Sequence, residues 1–257
     1  MKLDRVAQIR RYLFTTGYSS VGEIAQAVGA SEPTVRRDLL EMEAAGVILR
    51  RHGGAEIAGA SGSEVAFEAR EAIHLGAKRA IGEAAYQMLR PNTAVFLDAG
   101  TTVLQLARLL RVNPMPLRVF SNCLAVAQVL MAVPEISVTL LGGQIRPQNA
   151  SVVGGMAEDA LGQLWFDQLF LGVGAVADNG DITSADEHEA RLNRAMLARA
   201  HSTIILADAS KFGPRLTWRV AGIGPAMQVI SAPPLAPEWQ VRLAEWGVGL
   251  TLAGPMD

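Results

Sequence analysis

One strand-to-helix junction carries the strongest chemical signal in this chain. An apolar run ends there, a helical pattern begins, and five residues lie between them: Asp98, Ala99, Gly100, Thr101 and Thr102. A helix N-terminus offers free N–H groups and the positive end of the helix dipole, and threonine hydroxyls add further donors. The junction therefore predicts an anion site of the kind that holds a phosphate group. The alternative is an ordinary helix cap, because threonine caps many helices that bind no ligand.

Small polar and glycine residues follow other apolar runs in the same part of the chain. They are Ser121, Asn122, Gly142, Gly143, Arg146, Gly172 and Lys211. If the runs are strands of one parallel sheet, these residues meet at the carboxyl ends of the strands, where such sheets bind ligands. We therefore predict one shared pocket centred on residues 98–102. Because glycine after a strand is often only a turn residue, separate loops are the simpler alternative.

The elements that must position this pocket alternate between strand and helix. Apolar runs predict strands at Ala94–Leu97, Leu117–Phe120, Ile136–Leu141, Leu169–Val173, Thr203–Ala207 and Gly249–Leu252. Helical patterns lie between several of them, at Val103–Arg111, Leu124–Met131 and Glu187–Ala200. This alternation predicts an α/β domain with a largely parallel sheet.

Two adjacent arginine pairs, Arg36-Arg37 and Arg50-Arg51, give the other chemical signal. The formal net charge is −2 for the whole chain. Residues 1–58 hold eight Lys and Arg against seven Asp and Glu, a balance of only +1. Bulk charge therefore does not indicate a nucleic-acid-binding protein, and such an interpretation must rest on where the arginines lie.

The arginines fall on elements typical of a winged helix-turn-helix. Val6, Ile9 and Leu13 form one helical stripe, and Ser20 with Glu23 forms a capping box before a second helix, Val21–Val28. A turn then leads into a third helix, Glu32–Ala44, and two short strands around a glycine turn follow. The residues predicted to contact double-stranded DNA are Ser20, Ser31, Thr34, Arg36, Arg37, Arg50, Arg51, His52 and Gly53. The alternative is a small helical domain whose arginines are merely solvated.

The run Ser-Glu-Pro-Thr-Val-Arg-Arg-Asp-Leu-Leu, followed by Leu-Arg-Arg-His-Gly-Gly-Ala, decides between these two interpretations. It closely resembles the recognition helix and wing of the DeoR family of bacterial transcriptional regulators. The resemblance extends to the second half of the chain through Lys78–Gly82, Asp98–Thr102, Ser121-Asn122, Gly142-Gly143 and Ser210–Gly213. It spans roughly residues 3–232.

The family resemblance implies a C-terminal domain similar to the sugar-phosphate isomerase and coenzyme A transferase fold. It implies that residues 98–102 cradle a phosphate, while Asn122, Arg146, Glu187 and Lys211 contact the sugar or polyol end. We expect His188 to line the same pocket. The stretch 186–191 is closer to the glycerol-3-phosphate-responsive branch than to the hexose-phosphate branches. One departure is Asn193, where the family often has lysine.

Length and composition bound the remaining possibilities. A chain of 257 residues, half of them hydrophobic, predicts two packed domains. We place them at residues 1–58 and 78–257, with a linker at 59–77 that starts with small residues. The single cysteine, Cys123, excludes an internal disulfide framework, and no apolar run is long enough for a membrane span. With no secretory signal at the N-terminus, these features favour the cytoplasm.

Weaker motifs do not change this interpretation. Residues 172–177 match a dinucleotide fingerprint, but residues 178–181 read as a turn where a helix is required. The four histidines show no metal-ligand spacing, so neither a metal nor a cofactor is expected.

We therefore predict a transcriptional regulator, in this family usually a repressor, that a phosphorylated sugar or polyol releases from operator DNA. A dimer or tetramer is expected, because single helix-turn-helix modules usually work in pairs on symmetric sites. The second hypothesis is a sugar-phosphate isomerase on the same α/β fold, with Glu187 or Asp98 as the base. The third is a DNA-architectural protein without a ligand.

Overall fold

The computed structural model describes residues 2–44, 47–51, 53–57 and 67–254. The chain divides into two compact units, Met1–Ala66 and Phe67–Asp257. Each unit has a hydrophobic core of its own.

The first unit combines helices with a small sheet. Its described elements are α1 Lys2–Thr16, β1 Ser19–Ser20, α2 Val21–Val28, α3 Glu32–Ala44, β2 Ile48–Arg51 and β3 Gly54–Ile57. Helical spacing of apolar residues gives α1 and α3 one buried stripe each, and Ile9, Leu13, Val35 and Leu39 are at most 1% exposed. These side chains form a single core with Ile24 of α2.

Local capping fixes both ends of α2. The Ser20 hydroxyl accepts from the Glu23 backbone N–H, and the Glu23 carboxylate accepts from the Ser20 backbone N–H at 2.7 Å. Gly29 ends the helix in the left-handed conformation, with φ of 63°. Both features confirm the predicted capping box and turn.

The wing is a β-hairpin of two four-residue strands. Strands β2 and β3 run antiparallel, with Ile48 opposite Ile57 and Arg51 opposite Gly54. Strand β1 adds a third strand by pairing Ser19 with Ala55. The sequence predicts only the two wing strands, because a two-residue strand is too short to give an alternating pattern. His52, predicted at the turn, lies outside the described residues.

The second unit alternates strands and helices. Its helices are α4 Phe67–Ala72, α5 Leu75–Gln87, α6 Thr101–Val112, α7 Leu124–Leu130, α8 Gly155–Gly162, α9 Glu187–Leu197 and α10 Pro237–Glu245. Its strands are β4 Ala94–Leu97, β5 Leu117–Ser121, β6 Ile136–Leu140, β7 Gln144–Arg146, β8 Ser151–Val153, β9 Phe166–Gly172, β10 Ala175–Ala177, β11 Asp181–Ser184, β12 Ala200–Leu206, β13 Phe212–Gly213, β14 Trp218–Gly222, β15 Met227–Ser231 and β16 Gly249–Leu252. Single turns of 3₁₀ helix lie at Pro147–Asn149 and Ala209–Lys211.

Seven of the described strands form one parallel sheet, in the order β16-β15-β12-β9-β4-β5-β6. The first strand along the chain, β4, lies inside the sheet, with β5 and β6 on one side and β9 on the other. The winding direction therefore reverses between β4 and β9. In parallel α/β sheets the crevice at such a reversal is the usual place for a ligand. The predicted fold class, a winged helix-turn-helix followed by an α/β domain with a largely parallel sheet, is confirmed.

Both faces of this sheet are covered by apolar side chains. Val95 and Leu97 point into the cluster that includes α5, α6 and α7, whereas Ala94 and Phe96 point into the cluster on the opposite face. This explains why β4 reads as an uninterrupted apolar run instead of an alternating one. A smaller sheet, β13-β10-β11-β14, and the hairpin β7-β8 complete the described part of the unit.

The start of the second unit differs from the predicted linker at 59–77. Residues 67–72 form α4, and α5 begins at Leu75, three residues before the predicted start of the domain. Phe67 is 8% exposed within the core of the unit, so burial of this ring accounts for the helix. Residues 59–66 of the predicted linker lie outside the described residues.

Candidate functional site

Helix α3 presents two consecutive arginines on its exposed side. Arg36 forms an ion pair with Glu32, one turn earlier, with Nη2 and Oε2 3.0 Å apart. Arg37 is exposed and makes no hydrogen bond or ion pair with any described residue. Its guanidinium is therefore the freer of the two to bind a base edge or a phosphate.

Asp38, which the sequence analysis did not select, anchors this helix from the buried side. Its side chain is 1% exposed and accepts two hydrogen bonds from Arg5 of α1, at 2.5 Å and 3.1 Å. The signal was present in the sequence. Asp38 lies at helical spacing from Val35 and Met42 in an otherwise apolar stripe, and a buried acid requires a partner.

The other residues predicted to contact DNA have varied surroundings. The Ser20 hydroxyl is engaged in the α2 cap, and the Ser31 and Thr34 hydroxyls lie 2.9 Å apart at the start of α3. Arg50 of the wing lies 3.7 Å from Glu43, and Gly53 is exposed in the turn. Arg51 belongs to β2.

A cavity of about 80 Å³ opens in the second unit at the crevice between β4 and β9. Its walls are made by residues from six separate parts of the chain: Arg70, Asp98, Ala99, Gly100, Thr101, Thr102, Asn149, Gly172, Val173, Gly174, Glu189, Asn193, Leu206 and Lys211. The predicted pocket centre, residues 98–102, lies in this wall, and so do Gly172 and Lys211.

The N-terminus of α6 faces this cavity without a side-chain cap. The N-cap position is Gly100, and no described side chain accepts a hydrogen bond from the first turn. The N–H groups of the first turn of a helix have no acceptor inside the helix, so they are available to an anion in the cavity. This geometry favours an anion site over the ordinary threonine cap, because neither Thr101 nor Thr102 occupies the capping position.

Asp98 lines the cavity and is 2% exposed. Oδ2 accepts from the Gly172 backbone N–H at 3.2 Å, while Oδ1 has no partner among the described residues. Burial raises the pKa of Asp98 to about 8, and the charge of Glu189 contributes, against the opposing effect of N–H donors at Ala99 and Gly172. At neutral pH the carboxyl group therefore keeps its proton, does not repel an anion, and can donate a hydrogen bond.

A hydrogen-bonded network forms the opposite wall. Arg70 donates to the Asn149 side-chain oxygen at 2.8 Å, and the Asn149 amide nitrogen lies 2.5 Å from Glu189. Ser184 donates to the second carboxylate oxygen of Glu189 at 2.8 Å. Asn193 is 5% exposed, and its side-chain oxygen has no partner among the described residues. Fixed amides and a carboxylate of this kind suit the hydroxyl groups of a ligand.

Several predicted ligand contacts lie elsewhere. Glu187 and His188 are exposed at the start of α9 and do not line the cavity, and Gly142 and Gly143 precede the β7-β8 hairpin. Arg146 forms an ion pair with Asp186 at 3.2 Å and lies 3.7 Å from Glu189, behind the wall. Of the run 187–189 it is Glu189 that lines the cavity, because the phase of α9 turns this residue towards it.

Ser121 and Asn122 lie beneath the cavity and are completely buried. The Ser121 hydroxyl donates to the Leu97 carbonyl at 2.7 Å and accepts from the Cys123 N–H, so it ties β5 to the end of β4. Asn122 lowers the pKa of Asp98, and both polar atoms of its amide are buried without a hydrogen-bond partner among the described residues. Both residues support the anion wall from behind and do not line it.

None of the helices in the described part of the chain has the length and apolar character needed to cross a bilayer. No group of three or more His, Cys, Asp or Glu side chains among the described residues is placed to hold a metal ion.

Comparison with known proteins assigns both units. Residues 5–60 match the DeoR-like helix-turn-helix domain, and residues 73–232 match the DeoR C terminal sensor domain. The transcriptional repressor CsqR of Escherichia coli K12 is 34% identical over 80% of this chain and 78% of its own length. The glycerol-3-phosphate regulon repressor of the same organism is 30% identical, over 88% of this chain and 89% of its own. The lactose phosphotransferase system repressor of Staphylococcus epidermidis is 33% identical, over 82% and 84%.

Proposed function

Since this chain belongs to the DeoR family of transcriptional regulators, we propose that it represses genes of carbohydrate or polyol use and leaves its operator when a phosphorylated sugar or polyol fills the cavity. The observation that supports this most directly is the uncapped N-terminus of α6 at the cavity, which Arg70 and Lys211 also line. Backbone N–H groups, two cations and a protonated Asp98 are what a phosphate group requires.

The coupling between ligand and DNA follows from linkage. A ligand releases the operator only if it binds more tightly to the form of the protein that holds DNA poorly. Each recognition helix reads one half-site, so a two-fold operator calls for at least a dimer. We therefore propose a homo-oligomer acting on double-stranded operator DNA, in the cytoplasm where that DNA lies.

The polyol end of the ligand is proposed to face Asn149, Glu189 and Asn193. Their amide and carboxylate groups accept from hydroxyls, whereas the α6 side donates to an anion. Two of the relatives are named for glycerol 3-phosphate and for the lactose phosphotransferase system, so we take small phosphorylated polyols and sugars as the class to be screened.

The test uses the full chain and a duplex selected from random sequences by binding to it. Fluorescence anisotropy follows release of the duplex while sn-glycerol 3-phosphate and a panel of sugar phosphates are added, and thermal shift measures binding in parallel. The expected result is release by one member of the panel and no release by its unphosphorylated form. Binding to DNA that no phosphorylated compound alters would reject the proposal.

An isomerase function is not favoured, since the family and its named relatives are transcriptional repressors. The same samples decide this point. Interconversion of any sugar phosphate in the panel, followed by NMR, would restore the enzymatic hypothesis.

A further inference from the structure

Arg70 enters the cavity from the first helix of the second unit. Helix α4 spans Phe67–Ala72, and Phe67 is the first residue of the second unit, so α4 follows the first unit directly in the chain. Nη2 of Arg70 donates to the Gln148 carbonyl and to the Asn149 side-chain oxygen, both at 2.8 Å. No motif in the sequence analysis selected this arginine.

The guanidinium group retains donors for a ligand. Its Nε is buried and has no hydrogen-bond partner among the described residues. A buried N–H without an acceptor is costly, and a ligand oxygen in the cavity would satisfy it. Asp98 and Asn193, which line the same cavity, also carry buried oxygens without a partner among the described residues.

A second cation lies with Arg70 at the cavity. Arg70 and Lys211 both line it, and two cations together attract an anion. Both charges also reach Lys78 of α5. Burial lowers the pKa of Lys78, the charge of Asp208 raises it, Lys211 and Arg70 lower it, and Glu71 raises it.

Helix α4 is held in place from several sides. Phe67 packs in the core, and the Lys78 ammonium group of α5 donates to the Arg70 carbonyl. On the outer side Glu71 pairs with Arg108 of α6, and this ion pair does not line the cavity. None of these anchoring side chains lines the cavity. Among the side chains of α4 within the described residues, only that of Arg70 does.

We propose that Arg70 binds the anionic group of the ligand. Through this contact, ligand binding stabilises α4, the helix that directly follows the DNA-binding unit in the chain, and α4 transmits the signal towards that unit. The inference rests on the proposed function for the class of ligand. It adds a binding residue and a route for the signal. The ligand fixes α4 by giving the guanidinium a second partner besides the Gln148–Asn149 turn.

Hydrogen exchange of the full chain, read by mass spectrometry, tests the route. Inorganic phosphate and sn-glycerol 3-phosphate are the probes, with chloride at matched ionic strength as the reference. We expect either probe to slow exchange of the backbone amides of residues 67–74. Unchanged exchange in this segment, with protection elsewhere around the cavity, would overturn the proposal.

Matched variants test the residue. Arg70→Gln should weaken phosphate binding about 10- to 100-fold, because one charge-assisted contact is lost, and should abolish the protection of residues 67–74. Arg70→Lys keeps the positive charge but loses the planar guanidinium group that donates two hydrogen bonds at once. Its phosphate affinity should therefore lie between those of Arg70→Gln and the unaltered protein. Arg108→Gln removes an exposed anchor of the same helix, and should change phosphate affinity by less than about twofold. Equal affinity in Arg70→Gln and the unaltered protein would overturn the assignment.

Operator release in the same samples separates this inference from the proposed function. If phosphate binds through Arg70 but no sugar phosphate releases DNA, the repressor mechanism fails and the binding residue stands. If sn-glycerol 3-phosphate or a sugar phosphate releases DNA from Arg70→Gln at unchanged concentration, the mechanism stands and Arg70 is excluded.

Discussion

Arg5 and Asp38 join α1 to α3 through a two-pronged ion pair, with Nε 2.5 Å from Oδ2 and Nη2 3.1 Å from Oδ1. The planar guanidinium group matches the carboxylate, so the pair fixes orientation as well as distance. Asp38 directly follows Arg37 in the chain. The buried pair therefore holds α3 in the rotation that turns Arg37 outward.

Asp38→Ala should weaken DNA binding although the residue is buried. Removing the carboxylate takes away the two-pronged contact between α1 and α3 and leaves Arg5 without its partner, and should lower the unfolding midpoint of the first unit by about 5 °C or more. Circular dichroism measures the midpoint, and anisotropy measures the affinity. Glu32→Ala is the control, since its ion pair with Arg36 is exposed and worth little. A midpoint that Asp38→Ala leaves unchanged would contradict the anchoring role.

The two glycines of the wing should respond differently to alanine. A Cβ at Gly54 would lie 2.3 Å from the Ser19 carbonyl and 2.8 Å from the Tyr18 ring, so β1 and β3 must separate. A Cβ at Gly53 meets nothing, and only its φ of +79° is strained. We expect a loss of about 3 kcal/mol for Gly54→Ala and roughly 1 kcal/mol for Gly53→Ala. Urea unfolding at a fixed temperature measures both, and the reverse order would contradict the packing.

Arg37→Ala should cost more DNA affinity than Arg36→Ala. Arg36 must give up its ion pair with Glu32 to bind DNA, whereas Arg37 has no hydrogen-bond or ion-pair partner among the described residues. We expect affinity for the operator to fall about tenfold for Arg37→Ala, with the fold intact. If the contact is to a phosphate, the slope of log affinity against log salt should also drop by about 0.9. Anisotropy at several salt concentrations measures this, with Arg215→Ala in the second unit as the control.

Local sequence predicts the centre of the cavity because the residues are contiguous. An apolar strand, a glycine and the start of a helix follow one another within residues 94–103, so their geometry depends on short-range rules alone. The capping box at Ser20 and the glycine end of α2 were predictable for the same reason.

The rest of the cavity depends on contacts between distant segments. Arg70 and Asn149 are 79 residues apart in the chain and meet through one hydrogen bond. No periodicity links them, and the small residues before α4 made its start resemble a linker. Glu189 could have been predicted from the sequence, because Ala190 and Met196 show which face of α9 is buried. With Glu187 two residues earlier, the run offers two acids, and the sequence analysis chose Glu187.

The raised pKa of Asp98 should make folding stability depend on pH. The unfolded chain releases this proton near the ordinary pKa of 3.8, whereas the folded protein keeps it until about 8. Between these values the folded state binds one more proton, so rising pH favours unfolding by at most about 1.4 kcal/mol per pH unit. The Asp98→Asn variant has no carboxyl proton to release at this position. The stability of this variant relative to the unaltered protein should therefore increase from pH 5 to pH 8 and then level off.

Glu189→Gln extends this prediction by moving the point at which the difference levels off. Its negative charge is the second cause of the raised pKa, after burial, so neutralising it should lower the pKa of Asp98. The first pair to compare is Glu189→Gln and the double variant Glu189→Gln/Asp98→Asn, and the second pair is the unaltered protein and Asp98→Asn. The stability difference within the first pair should level off at a lower pH than the difference within the second pair. Thermal unfolding in buffers of matched ionic strength gives these differences. A stability difference that stays constant from pH 5 to pH 8 would mean that folded Asp98 is already ionised, and the neutral acid lining the anion site would have to be abandoned.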